Sequence, residues 1–108
     1  MERIKSIENW RELLEQSLEK PFLLFKFSTT CMSSLTAMKE LKTFETELPI
    51  YIVIVQEDRH ISNTIEKDLG VKNESPQLLI LKDGRAMWQA THYKIKQALL
   101  RDAITTYV

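Results

Sequence analysis

The chain has a single cysteine, Cys31, inside the segment Ser28-Thr29-Thr30-Cys31-Met32-Ser33-Ser34, where five hydroxyl side chains flank one sulfur. The apolar run Phe22 to Phe27 before it predicts a buried strand, and the apolar positions after it predict a helix. A sulfur at such a junction faces free amide N–H groups and the positive end of the helix dipole. Both favour thiolate over thiol, and thiolate is the form that attacks disulfides. The hydroxyls of Ser28, Thr29, Thr30, Ser33 and Ser34 are candidate hydrogen-bond donors to that anion, and Lys26 is a candidate positive charge if its strand aims it there. A lone cysteine is in many proteins only a small buried apolar residue. Here the junction and the polar neighbours favour a functional thiol.

Other chemistry is sparse. One cysteine excludes an intramolecular disulfide and any zinc site built from several cysteines. His60 and His92 with Cys31 would still leave a tetrahedral site one ligand short, so no metal is expected. Pro76, in Glu74-Ser75-Pro76 directly before an apolar run, stands where a cis peptide bond is compatible with the turn. His92 is a candidate ligand contact or thiol-tuning group, and equally a polar residue opening the last helix. Trp10 and Trp88 read as packing aromatics, and Met38 and Met87 as core filling, with Met32 at a rim beside the thiol. No phosphate-binding loop, nucleophile elbow or nucleic-acid motif is present.

The elements that would hold Cys31 follow from periodicity and punctuation. Ser6 predicts an N-cap, followed by a stripe of Ile7, Trp10, Leu13, Leu14 and Leu18 that Pro21 stops. After the Phe22–Phe27 strand, Ser28-Thr29-Thr30 supplies capping oxygens for a helix with the stripe Met32, Leu35, Met38, Leu41, Phe44 and Leu48, ended by Pro49. Ile50 to Val55 is a β-branched strand, and Ile61, Ile65 and Leu69 mark a third helix closed by Gly70. Gln77 to Leu81 and Arg85 to Thr91 form a hairpin around Asp83-Gly84. Lys94 to Tyr107 is a last helix with Ile95, Leu99, Ala103 and Tyr107 on one side. The early strand–helix–strand unit requires parallel strands with a right-handed crossover, and the hairpin adds two antiparallel ones.

Composition sets the outer limits. With 108 residues the expectation is a single domain, 1–108, and 44% hydrophobic with 28% charged residues fits a globular chain. Fifteen basic and fifteen acidic residues cancel, giving no pull towards nucleic acid or an anionic membrane. The N-terminus lacks the apolar core of a signal peptide and no apolar run spans a bilayer, so the expected location is cytoplasmic.

Taken together, Phe25-Lys26-Phe27-Ser28-Thr29-Thr30-Cys31, Gly70 through Gln77, Lys82-Asp83-Gly84 and Thr91-His92-Tyr93 resemble the thioredoxin superfamily, and within it the monothiol bacilliredoxins, across almost the whole chain. The resemblance implies an α/β thioredoxin-like fold: a central mixed four-stranded sheet, two parallel strands plus an antiparallel hairpin, flanked by four helices. It implies a monothiol thiol–disulfide oxidoreductase that uses Cys31 to remove a low-molecular-weight thiol, bacillithiol, from S-thiolated client proteins. No resident cofactor is implied, bacillithiol being a co-substrate, and neither nucleic acid nor membrane is expected as a partner of what would be a monomer. Residue by residue, Cys31 matches the redox cysteine and Pro76 the cis-proline beside it, while the backbone of Ser75 would pair with a substrate segment. Ser34 falls where dithiol relatives carry a resolving cysteine, so release would need an external thiol. Thr30, Met32 and His92 complete the expected substrate-binding set. The family usually has Cys-Pro-Ile-Ser where this chain has Cys31-Met32-Ser33-Ser34. That departure keeps open a non-catalytic thioredoxin-like binding or redox-sensing module. An iron–sulfur carrier is a weaker third reading, since the Cys-Gly-Phe-Ser signature is missing.

Overall fold

Alternation along one strand organises the molecule. In a computed structural model covering residues 1–108, Phe22–Phe27 forms β2, buried from Phe22 to Lys26. Successive side chains of a strand point to opposite faces. Phe22 and Leu24 join one core cluster with Trp10, Leu13, Ile61 and Ile65, whereas Leu23 and Phe25 join the other with Ala37, Leu41, Leu100 and Ala103. The sheet is thus covered on both faces, which is why β2 reads as a continuous apolar run.

Five strands make the sheet, in the order β1-β3-β2-β4-β5. They are β1 (Glu2–Arg3), β2, β3 (Ile50–Ile54), β4 (Gln77–Lys82) and β5 (Arg85–Thr91). The first three run parallel, and β4 and β5 are antiparallel to their neighbours. One strand more is present than the sequence predicts. β1 has only two residues, too few for any periodicity, and it is held by backbone pairing with Tyr51 and Ile52 and by the buried Ile4 beyond it.

Helix α1 (Ile7–Gln16) is capped by Ser6, whose Oγ accepts from the amide of Asn9 at 2.9 Å, while Asn9 Oδ1 accepts from the amide of Lys5. It ends at Ser17, before Pro21, and leaves Leu18 in solvent. Helices α1 and α3 (Arg59–Leu69) cover one face of the sheet, and α2 (Met32–Lys42) and α4 (Gln97–Tyr107) the other. Gly70 closes α3 in the left-handed conformation, at φ 66°. At the hairpin, Asp83 and Gly84 both have positive φ (55° and 74°), the type I′ requirement that Asp-Gly meets best.

Two predicted stripes are displaced. Helix α2 stops at Lys42, not at Pro49, and buries Ser33, Ser34, Ala37 and Leu41, while Met32 and Leu35 are exposed. Small residues, not the large apolar ones, let the first turn of α2 approach the sheet; Phe44 and Leu48 pack on the core from the following loop. A one-turn 3-10 helix, His92–Lys94, precedes α4 and lies beside α2. Helix α4 therefore starts at Gln97, and its inward residues are Leu100 and Ala103; Leu99 and Tyr107 face outward. No helix is long and apolar enough to cross a membrane.

Candidate functional site

Cys31 is the N-cap residue of α2, in extended conformation, and no side chain caps the helix there. The hydroxyls of Ser28 and Thr30 are used otherwise. Gln56 Nε2 donates to Ser28 Oγ and Thr30 Oγ1, and its Oε1 accepts from the amide of Thr29, so Gln56 braces the loop before the cysteine. Ser34, fully buried, accepts from the amide of Ser28 at 3.1 Å. No side chain therefore competes with the sulfur for the first-turn amides of α2, of which that of Ser34 also donates to the Cys31 carbonyl at 3.1 Å.

The sulfur is partly exposed and has two close neighbours. Ser33 Oγ lies 3.0 Å from Sγ, and the carbonyl oxygen of Ser75 lies 4.0 Å away on the other side. As a thiol, the S–H donates to Ser75; as a thiolate, the sulfur accepts from the Ser33 hydroxyl. The Cys31 pKa is lowered from the ordinary cysteine value, first by the Ser33 hydroxyl and then by the amide of Ser34. Partial desolvation works against this and does not overcome it. The surroundings thus favour the anion, chiefly through the Ser33 hydroxyl, with a smaller contribution from Ser34.

The loop facing the sulfur is Val71–Pro76. The Ser75–Pro76 bond is cis and Pro76 is buried. Of the expected substrate-binding residues, Ser75 meets Cys31 directly through its carbonyl oxygen, and Pro76 follows it across the cis bond. Met32, 73% exposed, projects at the rim, and Thr30 lies exposed on the loop before the sulfur. His92 reaches the site through its backbone, its amide donating to the carbonyl of Pro76 at 3.1 Å, while its exposed ring turns to Glu74 at 3.8 Å. Its φ of 53° marks the tight turn from β5 into the 3-10 helix. No three His, Cys, Asp or Glu side chains are close enough to share a metal ion.

Lys26 does not serve the sulfur. Alternation along β2 sends it to the α1/α3 face, with Phe22 and Leu24, away from α2. There it is 1% exposed and donates to Asn73 Oδ1. Desolvation lowers its pKa to about 8, against a smaller opposing effect of the Glu66 carboxylate. Asn73 Oδ1 also accepts from Ser62 Oγ, its Nδ2 donates to Asn63, and its amide donates to Glu66. Asn73 is therefore a hub that ties the loop carrying Ser75 to β2 and α3. Sequence reading named Ser33 only as one hydroxyl of five and did not find Asn73; a lysine inside an apolar run was the available signal that a buried polar partner exists.

Comparison with known proteins agrees with this geometry. A family model described as monothiol bacilliredoxin BrxC matches residues 2–100. A solved protein with a thioredoxin fold is 30% identical, with a TM-score of 0.86, over 95% of this chain and 92% of the other. Fasciola hepatica thioredoxin (14% identity, TM-score 0.78, all of both chains) has the same fold. So does Malassezia sympodialis thioredoxin (17% identity, TM-score 0.76, 99% of this chain and 90% of the other).

Proposed function

The chain belongs to the monothiol bacilliredoxin family, and from that premise we propose that it removes a small thiol, bacillithiol, from S-thiolated client proteins through Cys31. The Cys31 thiolate attacks the small thiol's sulfur in the mixed disulfide. A new disulfide forms between Cys31 and the small thiol, the old one breaks, and the client cysteine leaves as thiolate. A second molecule of small thiol then attacks the Cys31 adduct, releasing the symmetrical small-thiol disulfide and restoring the Cys31 thiolate. Two small thiols become one disulfide while the client is reduced, so electrons balance.

One observation carries the reading: a partly exposed sulfur at an uncapped helix start, with the Ser33 hydroxyl at 3.0 Å and the Ser75 carbonyl at 4.0 Å. The hydroxyl and amides favour the attacking anion. The carbonyl belongs to the bend that leads into β4, where a client segment can pair with the backbone, as in strand addition. Ser34 has no sulfur to offer, which leaves regeneration to an external thiol. Met32, Thr30, Pro76 and the His92 turn form the walls around the exchange.

The test is intact mass after incubation with oxidised bacillithiol and, separately, oxidised glutathione. A single adduct with bacillithiol, absent in Cys31→Ser and released by free bacillithiol, is the expected result. An unmodified protein under both oxidants overturns the reading. The departure at Met32 and Ser33 favours one alternative, a thiol-capped sensor that takes up the adduct without passing it on. In that case the adduct forms and free thiol does not release it.

A further inference from the structure

A cavity of about 180 Å³ opens beside the sulfur, lined by Arg59, Ser62 and Asn63 on α3 and by Asn73, Glu74 and Ser75 on the facing loop. Ser75 joins it to the redox site, since its carbonyl oxygen is the group 4.0 Å from Sγ. A second polar cavity, lined by Lys72, Glu74 and Lys94, does not include Ser75, and the remaining ones differ in character. Those beside Trp88 and Leu99 and beside Met38 and Phe44 are mostly apolar, and the one at the end of α1 is lined by Glu12, Glu15 and Glu19.

Three features make the cavity beside Ser75 a seat for a charged group. Arg3 and Arg11 are paired with carboxylates and Arg101 lies over the Phe44 ring, whereas the exposed Arg59 and Arg85 have no hydrogen-bond or ion-pair partner within the fold, and of these two Arg59 lines this cavity. The wall is already ordered, because Asn73 bonds Lys26, Ser62 and Asn63 at once. Ser75 Oγ is buried and makes no hydrogen bond, leaving an unspent donor in that wall. A planar guanidinium suits a carboxylate bidentately. The volume equals about six water molecules at roughly 30 Å³ each, enough for an end group and too little for a nucleotide.

We propose that this cavity receives the carboxylate-bearing end of the small thiol, with Arg59 pairing the carboxylate and the unspent Ser75 hydroxyl donating to it, and so selects which thiol the site accepts. The assignment rests on the oxidoreductase reading for its physiological meaning but not for its measurement. S-methylbacillithiol and S-methylglutathione have no free sulfur and cannot exchange, so their binding reports the cavity alone. Titration of either into the reduced protein, followed by amide chemical shifts, is expected to move Arg59, Asn63 and Ser75. Arg59→Gln should weaken that binding about tenfold or more, as loss of a charge-assisted contact does, with Arg59→Lys in between. A parallel measure is the rate of discharge of a bacillithiol-capped peptide relative to a mercaptoethanol-capped one, a ratio that should fall about tenfold in Arg59→Gln. Shifts confined to other surfaces, or equal binding by wild type and Arg59→Gln, overturn the assignment. A protein that binds the S-methyl thiols at Arg59 yet discharges no mixed disulfide upholds the cavity and refutes the oxidoreductase reading; one that discharges but does not bind does the reverse.

Discussion

Replacing Lys26 by methionine should change the pH dependence of stability in a way that only a buried, depressed lysine explains. The folded pKa is about 8, and the unfolded value is the ordinary one of 10.5. Below pH 8 both states hold the proton, and above 10.5 neither does. Between these limits the unfolded chain binds more protons, so wild-type stability rises with pH. The window of about 2.5 pH units is worth about 3 kcal/mol at 1.36 kcal/mol per unit. This is a large share of the 5–15 kcal/mol that typically holds a domain together. Lys26→Met fills the same space without the charge. Any offset it brings from packing, or from the lost hydrogen bond to Asn73, does not depend on pH. Urea denaturation of both proteins at intervals from pH 7 to pH 10.5 gives the difference directly. Wild type should gain about 3 kcal/mol on the variant across that range. A difference constant to within about 0.5 kcal/mol would refute both the depressed pKa and the placement of Lys26 in the dry core.

Three further outcomes test the site and its frame. Ser33→Ala removes the hydroxyl nearest the sulfur, so the Cys31 pKa should rise; the alkylation rate with iodoacetamide at pH 7 should fall, and the midpoint of its pH profile should move upward. An unmoved midpoint would show that the amides act alone. Ser34→Cys puts a second sulfur in the first turn, and the mixed disulfide with the small thiol should then give way to an internal disulfide between position 34 and Cys31, visible by intact mass. Trp10 is fully buried and its Nε1 donates to Asp68 at 2.9 Å, joining α1 to α3. Trp10→Ala should cost about 3–5 kcal/mol in urea denaturation, and Trp10→Phe clearly less.

Much of this was legible before the coordinates. Continuous apolar runs gave β2 and β3, Gly70 marked the end of α3, and Asp83-Gly84 fixed the hairpin, because each signal is local and admits few backbone conformations. The two strongest misreadings share a cause. On α2 and α4 the spacing places the large apolar residues Leu35, Leu99 and Tyr107 inward, yet distance to the sheet decides which face is buried. Serines and alanines sit where the backbone comes close. β1 escaped because two residues have no period, and its pairing depends on a strand nearly fifty positions later. In the site, the position of Cys31 at the start of a helix was readable, as was the cis bond at Pro76 through resemblance. Choosing Ser33 among five hydroxyls was not, since that choice depends on the rotation of the first turn. Nor was the role of Lys26, although its strand and its parity already placed it opposite α2. The Arg59 cavity joins α3 to a loop eleven or more residues away, and nothing local announces it.

The bare N-terminus of α2 also bears on how long any thiol stays on Cys31. Whatever donors greet a negative sulfur lose that partner once the sulfur is capped and neutral, and no neighbouring hydroxyl is free to replace it in the ladder. The capped state therefore sits uphill of the free anion by whatever those donors contributed, and sulfur leaves best where its departing charge is welcomed. A side chain from elsewhere capping that turn would occupy the same donors and leave a departing sulfur less well met. Leaving that turn open favours handing over above storage.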